Sequence, residues 1–391
     1  MKILIIHQHF RTPNQGGSIR SYHIARELSL LGNQVSVISS SQKARNYVTK
    51  VENFEIRYLK VRYENSFGFA RRMISYSSFL LKAIYSLKLY KDYDVCYVMS
   101  TPLSVGIIGL WAKSHYKIPY VFEVGDLWPD IPIQMGIIRN PIFKWSVLKL
   151  EKLIYSKSKF IVALSNEMKQ LIQVKVKDKQ ITVIENFADS AFFKIKNVEI
   201  KIPSTIKKGN VVISYIGTLG IANKVETLIK LAGILREEAI TIVIKGSGKE
   251  LQLCQGLANK LNLHNVIFMP FGSKDEIKEL LAYTDAIYVS FDKRYPLLTT
   301  GCPNKLIDGI AAGNIVLMNY GGWQKELIKN TKCGIIMDID NPADCLNKAR
   351  SILLEPGKRE VMKNNSRMLA QKFEVKLLVE RLYLEIAKAL N

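Results

Sequence analysis

This chain of 391 residues predicts two doubly wound α/β domains, each built on a parallel sheet. Three observations carry that reading. Short runs rich in Val and Ile alternate with helical stretches almost throughout. Most of those runs lack the in–out alternation of a half-buried strand, so both of their faces should be covered. The chain is also too long for one ordinary core, and an irregular, Lys-rich stretch holding Pro203 interrupts it near the middle.

Taken in order, strands are expected at 2–6, 34–39, 94–99, 120–123, 160–164 and 181–184. A second series follows at 211–216, 241–245, 266–269, 286–290, 315–319 and 334–337. They define a first domain over 1–190, a linker over 191–210 and a second domain over 211–373. The last helical run, 358–390, is long, and residues 374–391 are expected to cross back to the first domain. In such folds ligands bind beyond the carboxyl ends of the strands. The loops after strands should therefore carry the chemistry, in a cleft between facing domains.

Charge narrows the partners. The net charge is +22, and the first 200 residues hold 29 Lys and Arg against 15 Asp and Glu. The densest stretch is 41–91, with 11 basic and 3 acidic residues. A basic surface attracts nucleic acid or anionic lipid, or simply stays solvated. Residues 69–90 read as one helix with an apolar, aromatic side and a sparse basic side that includes Arg71, Arg72 and Lys82. Such a helix suits the surface of an anionic bilayer, and equally a core-facing helix with solvated lysines. The two are compatible if only one end is exposed. No zinc-finger, RNA-recognition or helix-turn-helix pattern and no basic tail supports nucleic acid.

The N-terminus has four apolar residues in a row, which reads as a buried strand and not a signal peptide. No apolar run reaches the roughly 18 residues of a membrane span. Five scattered cysteines without C-x-x-C spacing suggest a reduced compartment and no zinc site, so a cytoplasmic protein is expected. Asp92–Asp94 and Asp338–Asp340 have D-x-D spacing but read better as turns beside strands than as metal sites. No metal or cofactor is expected.

The most informative loop is 299–313, T-T-G-C-P-N-K-L-I-D-G-I-A-A-G. It follows a strand and opens a short apolar helix near Asn304. Free N–H groups and the positive dipole end there suit a phosphate. Lys305 lies in the first turn, and Asp308, one turn on, has a carboxylate suited to two ribose hydroxyls. Together they read as a nucleotide-diphosphate cradle; the alternative is an ordinary helix. Gly217, Thr218 and Gly220 follow the strand at 211, with Lys224 as a point charge beyond them, and Gly246 and Gly248 follow the strand at 241. Phe271, after the strand at 266, is assigned to the same donor side.

In the first domain, Gly16-Gly17 precedes a helix and allows close ligand approach or a tight turn. His7 and His9 flank this loop as candidate bases or as structural histidines. The segment 122–130, F-E-V-G-D-L-W-P-D, leaves a strand with carboxylates at Glu123, Asp126 and Asp130. Asp126 stands where a general base would, or caps the next segment, while Trp128-Pro129 forms a rigid platform.

The order of these motifs resembles glycosyltransferase family 4, retaining enzymes of the GT-B fold, over nearly the whole chain. Gly16-Gly17 with Arg20, V-A-L-S-N-E-M at 162–168, V-I-E-N-F-A-D at 183–189, Gly217-x-Leu219, Gly246-x-Gly248 and P-N-K-L-I-D-G-I-A-A-G are similar to its successive signatures. The G-D-L-W-P-D block resembles the subgroup that builds O-antigen, capsule or colanic acid, including WbuB-like N-acetylfucosaminyl transferases. The resemblance implies metal-independent transfer from a nucleotide sugar, usually UDP-linked, to a lipid-linked acceptor. It implies Asp126 as catalytic base, with His9 and Glu123 as further candidates. The donor would lie on Gly16, Gly17, Gly217, Thr218, Lys224, Gly246, Gly248, Phe271, Asn304, Lys305 and Asp308. Acceptor or membrane would meet Arg71, Arg72, Lys82 and Trp128. Thr300 stands where the family often has its first Glu, and Thr218 and Asn223 stand where it usually has Arg and Lys. That thinned clamp leaves a second reading open, a nucleotide-sugar-binding scaffold without turnover.

Overall fold

The computed structural model describes residues 1–64, 67–194 and 204–390. The chain forms two compact units: Met1–Thr12 with Ser18–Glu185 and Val375–Asn391, and Pro13–Gly17 with Asn186–Glu374. Of the stretch expected as a linker, residues 195–203 lie outside the described residues.

The first unit holds β1 (Lys2–Ile6), β2 (Gln34–Ser41), β3 (Tyr47–Val51), β4 (Phe54–Lys60), β5 (Val95–Met99), β6 (Tyr120–Val124), β7 (Ile161–Ala163) and β8 (Ile181–Val183). They form one sheet in the order β3-β4-β2-β1-β5-β6-β7-β8. Ile3 of β1 lies opposite Val35 of β2 and Val95 of β5, and these pairings are parallel. Only β3 runs antiparallel, against β4. Chain order reverses beside β1 and β5, which makes their ends the switch point where an open α/β sheet binds ligands.

The buried strands are those expected from their apolar runs: β5 and β6 are buried at every residue. The strands β3 and β4 were not expected. Their sequences, YVTKV and FEIRYLK, alternate exposed or half-buried residues with more buried ones, as strands with one wetted face do, and of the two only β3 lies at the sheet edge.

Chain order runs outward in opposite directions from β1 and β5, and with the usual right-handed crossover that sets the helices on two faces of this sheet. The helix Arg20–Leu30 packs with the last helix, Val375–Leu390. The helices Phe69–Ser86, Val105–Tyr116 and Pro141–Lys157 lie side by side on the other face. The last of these starts where its sequence says it should: Asn140 accepts the Phe143 N–H, and Pro141 fills the first helical position.

The second unit holds β9 (Val211–Thr218), β10 (Ile240–Ser247), β11 (Val266–Met269), β12 (Ala286–Val289), β13 (Ile315–Met318) and β14 (Gly334–Ile336). Their order is β11-β10-β9-β12-β13-β14, and every pairing is parallel. The helix Lys274–Tyr283 begins with a capping box between Ser273 and Glu276. The helix Asn304–Ala312 stops at Gly313, whose φ of 81° is left-handed.

The run expected as one helix over 358–390 is two helices, Pro356–Ala370 and Val375–Leu390. The backbone leaves the helix at Phe373–Glu374 to meet Ala188: Ala188 donates its N–H to the Phe373 carbonyl at 2.7 Å, and Glu374 bridges to Ala188.

A buried ion pair ties the first unit together. Glu123 of β6 is 1% exposed and accepts from Arg20 Nε at 2.9 Å and Nη2 at 2.8 Å. Tyr97 of β5 donates its hydroxyl to the same carboxylate. The guanidinium also donates to the carbonyls of Ile184 and Glu185, just past β8. One charge cluster thus joins the first helix, β5, β6 and the end of β8. Removing one partner strands the other charge in the interior, at about 3–5 kcal/mol. Glu123→Ala is expected to lose stability of that order, read as a lower urea midpoint at unchanged slope; a midpoint equal to wild type would show that the pair is dispensable.

Candidate active site

In the second unit, the helix Asn304–Ala312 has Pro303 as its N-cap and no side-chain acceptor there. Leu306 donates its N–H to the Pro303 carbonyl at 3.1 Å, which leaves those of Asn304 and Lys305 without an intrahelical partner. The preceding loop is held rigidly: Asn186 donates to the Cys302 carbonyl, while Trp323 and Gln324 donate to the Gly301 carbonyl at 3.1 and 2.6 Å. None of these three roles was visible in the sequence, because partners 22 to 116 residues apart leave no local pattern.

Lys305 projects from the first turn to the loop after β9. Its ammonium donates to the Tyr215 hydroxyl at 2.9 Å and to Asn223 Oδ1 at 3.1 Å, and lies 4.2 Å from the Tyr215 ring centroid. Among the described residues no carboxylate pairs with it. Burial without a countercharge pushes its pKa down to about 7. Asn223 thus receives the ammonium of Lys305 from another element, at the position where the resemblance would put a cation.

The glycines of the neighbouring loops differ in their reasons. Gly217 has a φ of 135°, and a Cβ there would stand 3.6 and 3.7 Å from Cε and Nζ of Lys305. It faces the space beside the ammonium. A Cβ on Gly246 would lie 1.9 Å from the Gly217 carbonyl oxygen, and one on Gly248 2.1 Å from the Leu219 carbonyl oxygen. Those two are glycine because the ends of β9 and β10 and the loops just beyond them pack backbone against backbone, which sets the shape of the site without requiring that they touch a ligand. Thr218 is exposed, and its carbonyl accepts from Tyr215 and Asn223. Lys224 has left-handed φ and pairs with Glu226 at 2.8 Å.

Asp308 is half-buried and paired with Lys274 at 2.6 Å, an ion pair between two adjacent helices. The sequence reading placed no cation beside it. Lys245, at the end of β10, pairs with Glu276 at 2.8 Å and so fixes the capped helix start. Gly16, with φ of 65°, packs so closely that a Cβ would be 2.3 Å from the Gly272 carbonyl oxygen and 3.1 Å from the Phe271 ring. Phe271 itself is about half exposed. Gly17 is left-handed as well.

In the first unit, the three carboxylates of 122–130 separate. Glu123 is consumed by Arg20 and Tyr97. Asp130 pairs with Lys175, which also holds Glu151. Asp126 alone is exposed, with no ion pair or side-chain hydrogen bond among the described residues. Protein crowding about its carboxyl raises its pKa by desolvation. The Gly125 N–H donates to Ser100 Oγ at 3.1 Å, and the Trp128 N–H donates to the Asp126 carbonyl at 2.8 Å, so the loop presenting Asp126 is fixed. Trp128 is half-buried.

His7 bonds Ser21 Oγ through Nδ1 at 2.8 Å, and burial lowers its pKa to about 4. His9 faces the Tyr63 ring at 4.4 Å, and burial, with His7, Arg11 and Arg72 adding charge, lowers it to about 3. Both are neutral at pH 7. Arg71 is exposed, whereas Arg72 donates to the Phe67 carbonyl and Lys82 to the Lys60 carbonyl. Lys293 bridges Asp338 and Asp340, and Lys2 pairs with Asp92 and donates its N–H to Asp94. Among the described residues no group of three or more His, Cys, Asp or Glu is placed to hold a metal.

Two family models match the chain in tandem: Glycosyltransferase Family 4 over residues 15–192 and Glycosyl transferases group 1 over residues 197–368. No curated protein sequence matches it. Similar solved structures include sucrose-phosphate synthase from Thermosynechococcus elongatus, with a TM-score of 0.78, 15% identity and 99% of each chain covered. Anabaena HepE in complex with UDP-glucose has a TM-score of 0.68 and 15% identity over 99% of this chain and 100% of its own. WaaG, a glycosyltransferase involved in lipopolysaccharide biosynthesis, has a TM-score of 0.66 and 16% identity over 98% of each chain. These likenesses establish the fold, and the two tandem domains agree with it: the chain is a glycosyltransferase of the GT-B fold, with a Family 4 domain followed by a group 1 domain.

Proposed function

We infer that the protein transfers a sugar, with retention and without a metal, from a UDP-sugar to a lipid-linked sugar acceptor on a polyprenyl diphosphate. The setting is bacterial surface polysaccharide synthesis at the inner face of the plasma membrane, and the sugar is N-acetylfucosamine or a related amino or deoxy sugar. The G-D-L-W-P-D block supports the WbuB-like part of this reading. The similarity to UDP-sugar-bound HepE supports the donor class.

One observation carries the donor assignment. Lys305 is a half-buried ammonium with only neutral partners, beside the open helix start and beside Gly217. A diphosphate there would supply the missing countercharge and accept the first-turn N–H groups. Charge developing on the leaving diphosphate would be met by the same groups, the kind of preorganised stabilisation that dominates many enzymatic rate accelerations. Asp308 takes the ribose hydroxyls, sharing its carboxylate with Lys274. Asp126 serves as the base or orients the acceptor hydroxyl. Glu123 positions the strand beneath it through Arg20 and does not react. The uncharged Thr218 and Asn223, where the resemblance would put Arg and Lys, favour the scaffold reading.

Thermal unfolding tests the donor site. UDP at about 100 times its dissociation constant should add roughly 2.7 kcal/mol of stability. GDP, ADP and CMP should add little, and Asp308→Ala should abolish most of the shift. No shift with any nucleotide would refute the donor assignment.

The pH dependence is fixed in sign. Free Lys305 is half charged near pH 7, and a bound diphosphate favours the charged form, so binding above pH 7 requires proton uptake. UDP affinity should fall by up to about tenfold per pH unit from 7.5 to 9, where the phosphate, with a second pKa of about 6, is already ionised. Lys305→Arg should flatten that slope; calorimetry showing the same slope in both proteins would exclude Lys305 as its source.

Asp126→Asn should lower transfer by about 10²–10⁴-fold if Asp126 is the base, with UDP binding kept. Release of UDP from the sugar donor in the presence of acceptor reads this, and an unchanged rate removes Asp126 from the role. Bound UDP without turnover, over a broad acceptor panel, would favour the scaffold.

A further inference from the structure

The sequence drew attention to one helix, 69–90, as a bilayer-facing element; its α-helical part is Phe69–Ser86, followed by a 3-10 turn over Leu87–Tyr90. In the fold that helix is one of three. Phe69–Ser86, Val105–Tyr116 and Pro141–Lys157 pack side by side as a single layer over the sheet of the first unit. Together they carry eight Lys and Arg residues and a single acid, Glu151. That acid is 1% exposed and paired with Lys175 at 2.7 Å. The outward side of the layer therefore bears positive charge with no exposed acidic residue on any of its helices.

The same side carries large apolar groups in stripes. Ile74, Leu81 and Tyr85 repeat at helical spacing on the first helix, and all are at least two-thirds exposed. Ile142, Trp145 and Leu153 repeat likewise on the third, with Ile142 74% exposed. Trp111 of the middle helix is partly exposed and stacks on His115 at 3.7 Å. Lys149 lies 4.0 Å from the Trp145 ring centroid, and Lys88, just past the first helix, lies 3.8 Å from that of Tyr85. Single exposed apolar residues need no explanation, but two stripes on the outer helices of one layer, with Trp111 on the helix between them, form a patch.

We propose that this three-helix layer, anchored by Trp145 and Ile142 on one edge and by Ile74 and Leu81 on the other, is the surface by which the protein docks on an anionic lipid bilayer. The apolar stripes enter the headgroup boundary, and the lysines and arginines beside them meet lipid phosphates. A second copy of the chain fits poorly, because two acid-free basic faces would repel each other. Nucleic acid would use the charge but gain nothing from protruding Ile and Leu side chains. The inference rests on the membrane part of the proposed function and names its contact surface. Its test reads lipid binding and not turnover, so either reading can fail alone.

The experiment is flotation of the full chain with vesicles of phosphatidylglycerol and phosphatidylcholine in equal parts, against vesicles of phosphatidylcholine alone. Wild type should float with the anionic vesicles, and its tryptophan emission should shift to the blue. Ile142→Glu and Trp145→Glu, alone and combined, should each weaken partitioning by about tenfold. Leu384→Glu, at an exposed apolar position on the last helix, should leave it unchanged. Circular dichroism and the UDP thermal shift check that the variants are folded. Equal flotation of wild type and the double variant would overturn the proposal. So would binding that salt abolishes while the apolar variants bind like wild type, which would assign the face to a soluble polyanion.

Discussion

Parallel strand pairing is the constraint on which the rest of this molecule depends. A parallel pair cannot be closed by a tight turn, so each strand needs a crossover, and each crossover helix covers the sheet. All strand ends of one kind then share one edge. In the first unit that edge receives the loops carrying His7, Ser100 and Asp126, after β1, β5 and β6. In the second it carries Gly217 and Gly246, at the ends of β9 and β10, and the helix start at Asn304, after β12. The covering helices on the other side of the bargain are broad surfaces free to take on their own character, and the three-helix layer of the first unit is one of them.

Within that frame, the buried charges divide into those that are finished and those that are not. Arg20 and Glu123 satisfy each other and several backbone carbonyls, so they hold strands and helix in place. Lys274 and Asp308 form a compact pair, and the buried Lys245 is met by the exposed Glu276. Lys305 is different. Its partners are a phenol and an amide oxygen, which accept a hydrogen bond but do not cancel the charge. A low-dielectric site tolerates that only by lowering the lysine pKa, here to about 7. An ammonium kept in this state gains most when an anion arrives, because the ligand removes a cost that the free protein already bears.

The parts of this structure that were legible in the sequence are those with short-range signatures. The strands β1, β5, β9 and β13 announced themselves because burial on both faces forces runs of Val, Ile and Leu. The helix at Asn304 was legible because its stop, Gly313, and its Pro-bearing start are local. The edge strand β3 and its neighbour β4 were missed because their outer faces are polar, and polar alternation with Lys, Glu and Arg resembles a surface loop. The glycine loops looked alike in sequence, yet Gly246 and Gly248 are set by backbone packing and Gly217 by its φ of 135° beside Lys305. Glu123 and Asp126 lie three residues apart and read as one acidic group. Their separation came from Arg20, 103 residues away from Glu123, and from the change of strand to loop between them. Lys274 beside Asp308 was invisible for the same reason: a tertiary ion pair has no period.

The charge of +22 illustrates how little a total says and how much a distribution says. Counted along the chain, the basic excess is spread over both halves and fits several kinds of partner. Folding sorts it by where the acids go. Asp130 and Glu151 are drawn to Lys175, and Glu123 is drawn to Arg20. Each of these pairs takes an acid out of the positively charged surroundings it would otherwise neutralise. What remains on the layer formed by 69–86, 105–116 and 141–157 is a field without internal compensation, set among apolar groups that water does not favour. Long-range attraction to anionic headgroups falls off within about 10 Å in ordinary salt, whereas apolar insertion acts only on contact. In the proposed docking the two forces would therefore act in sequence: charge would orient the face toward the surface, and the Ile, Leu and Trp side chains would then hold it there.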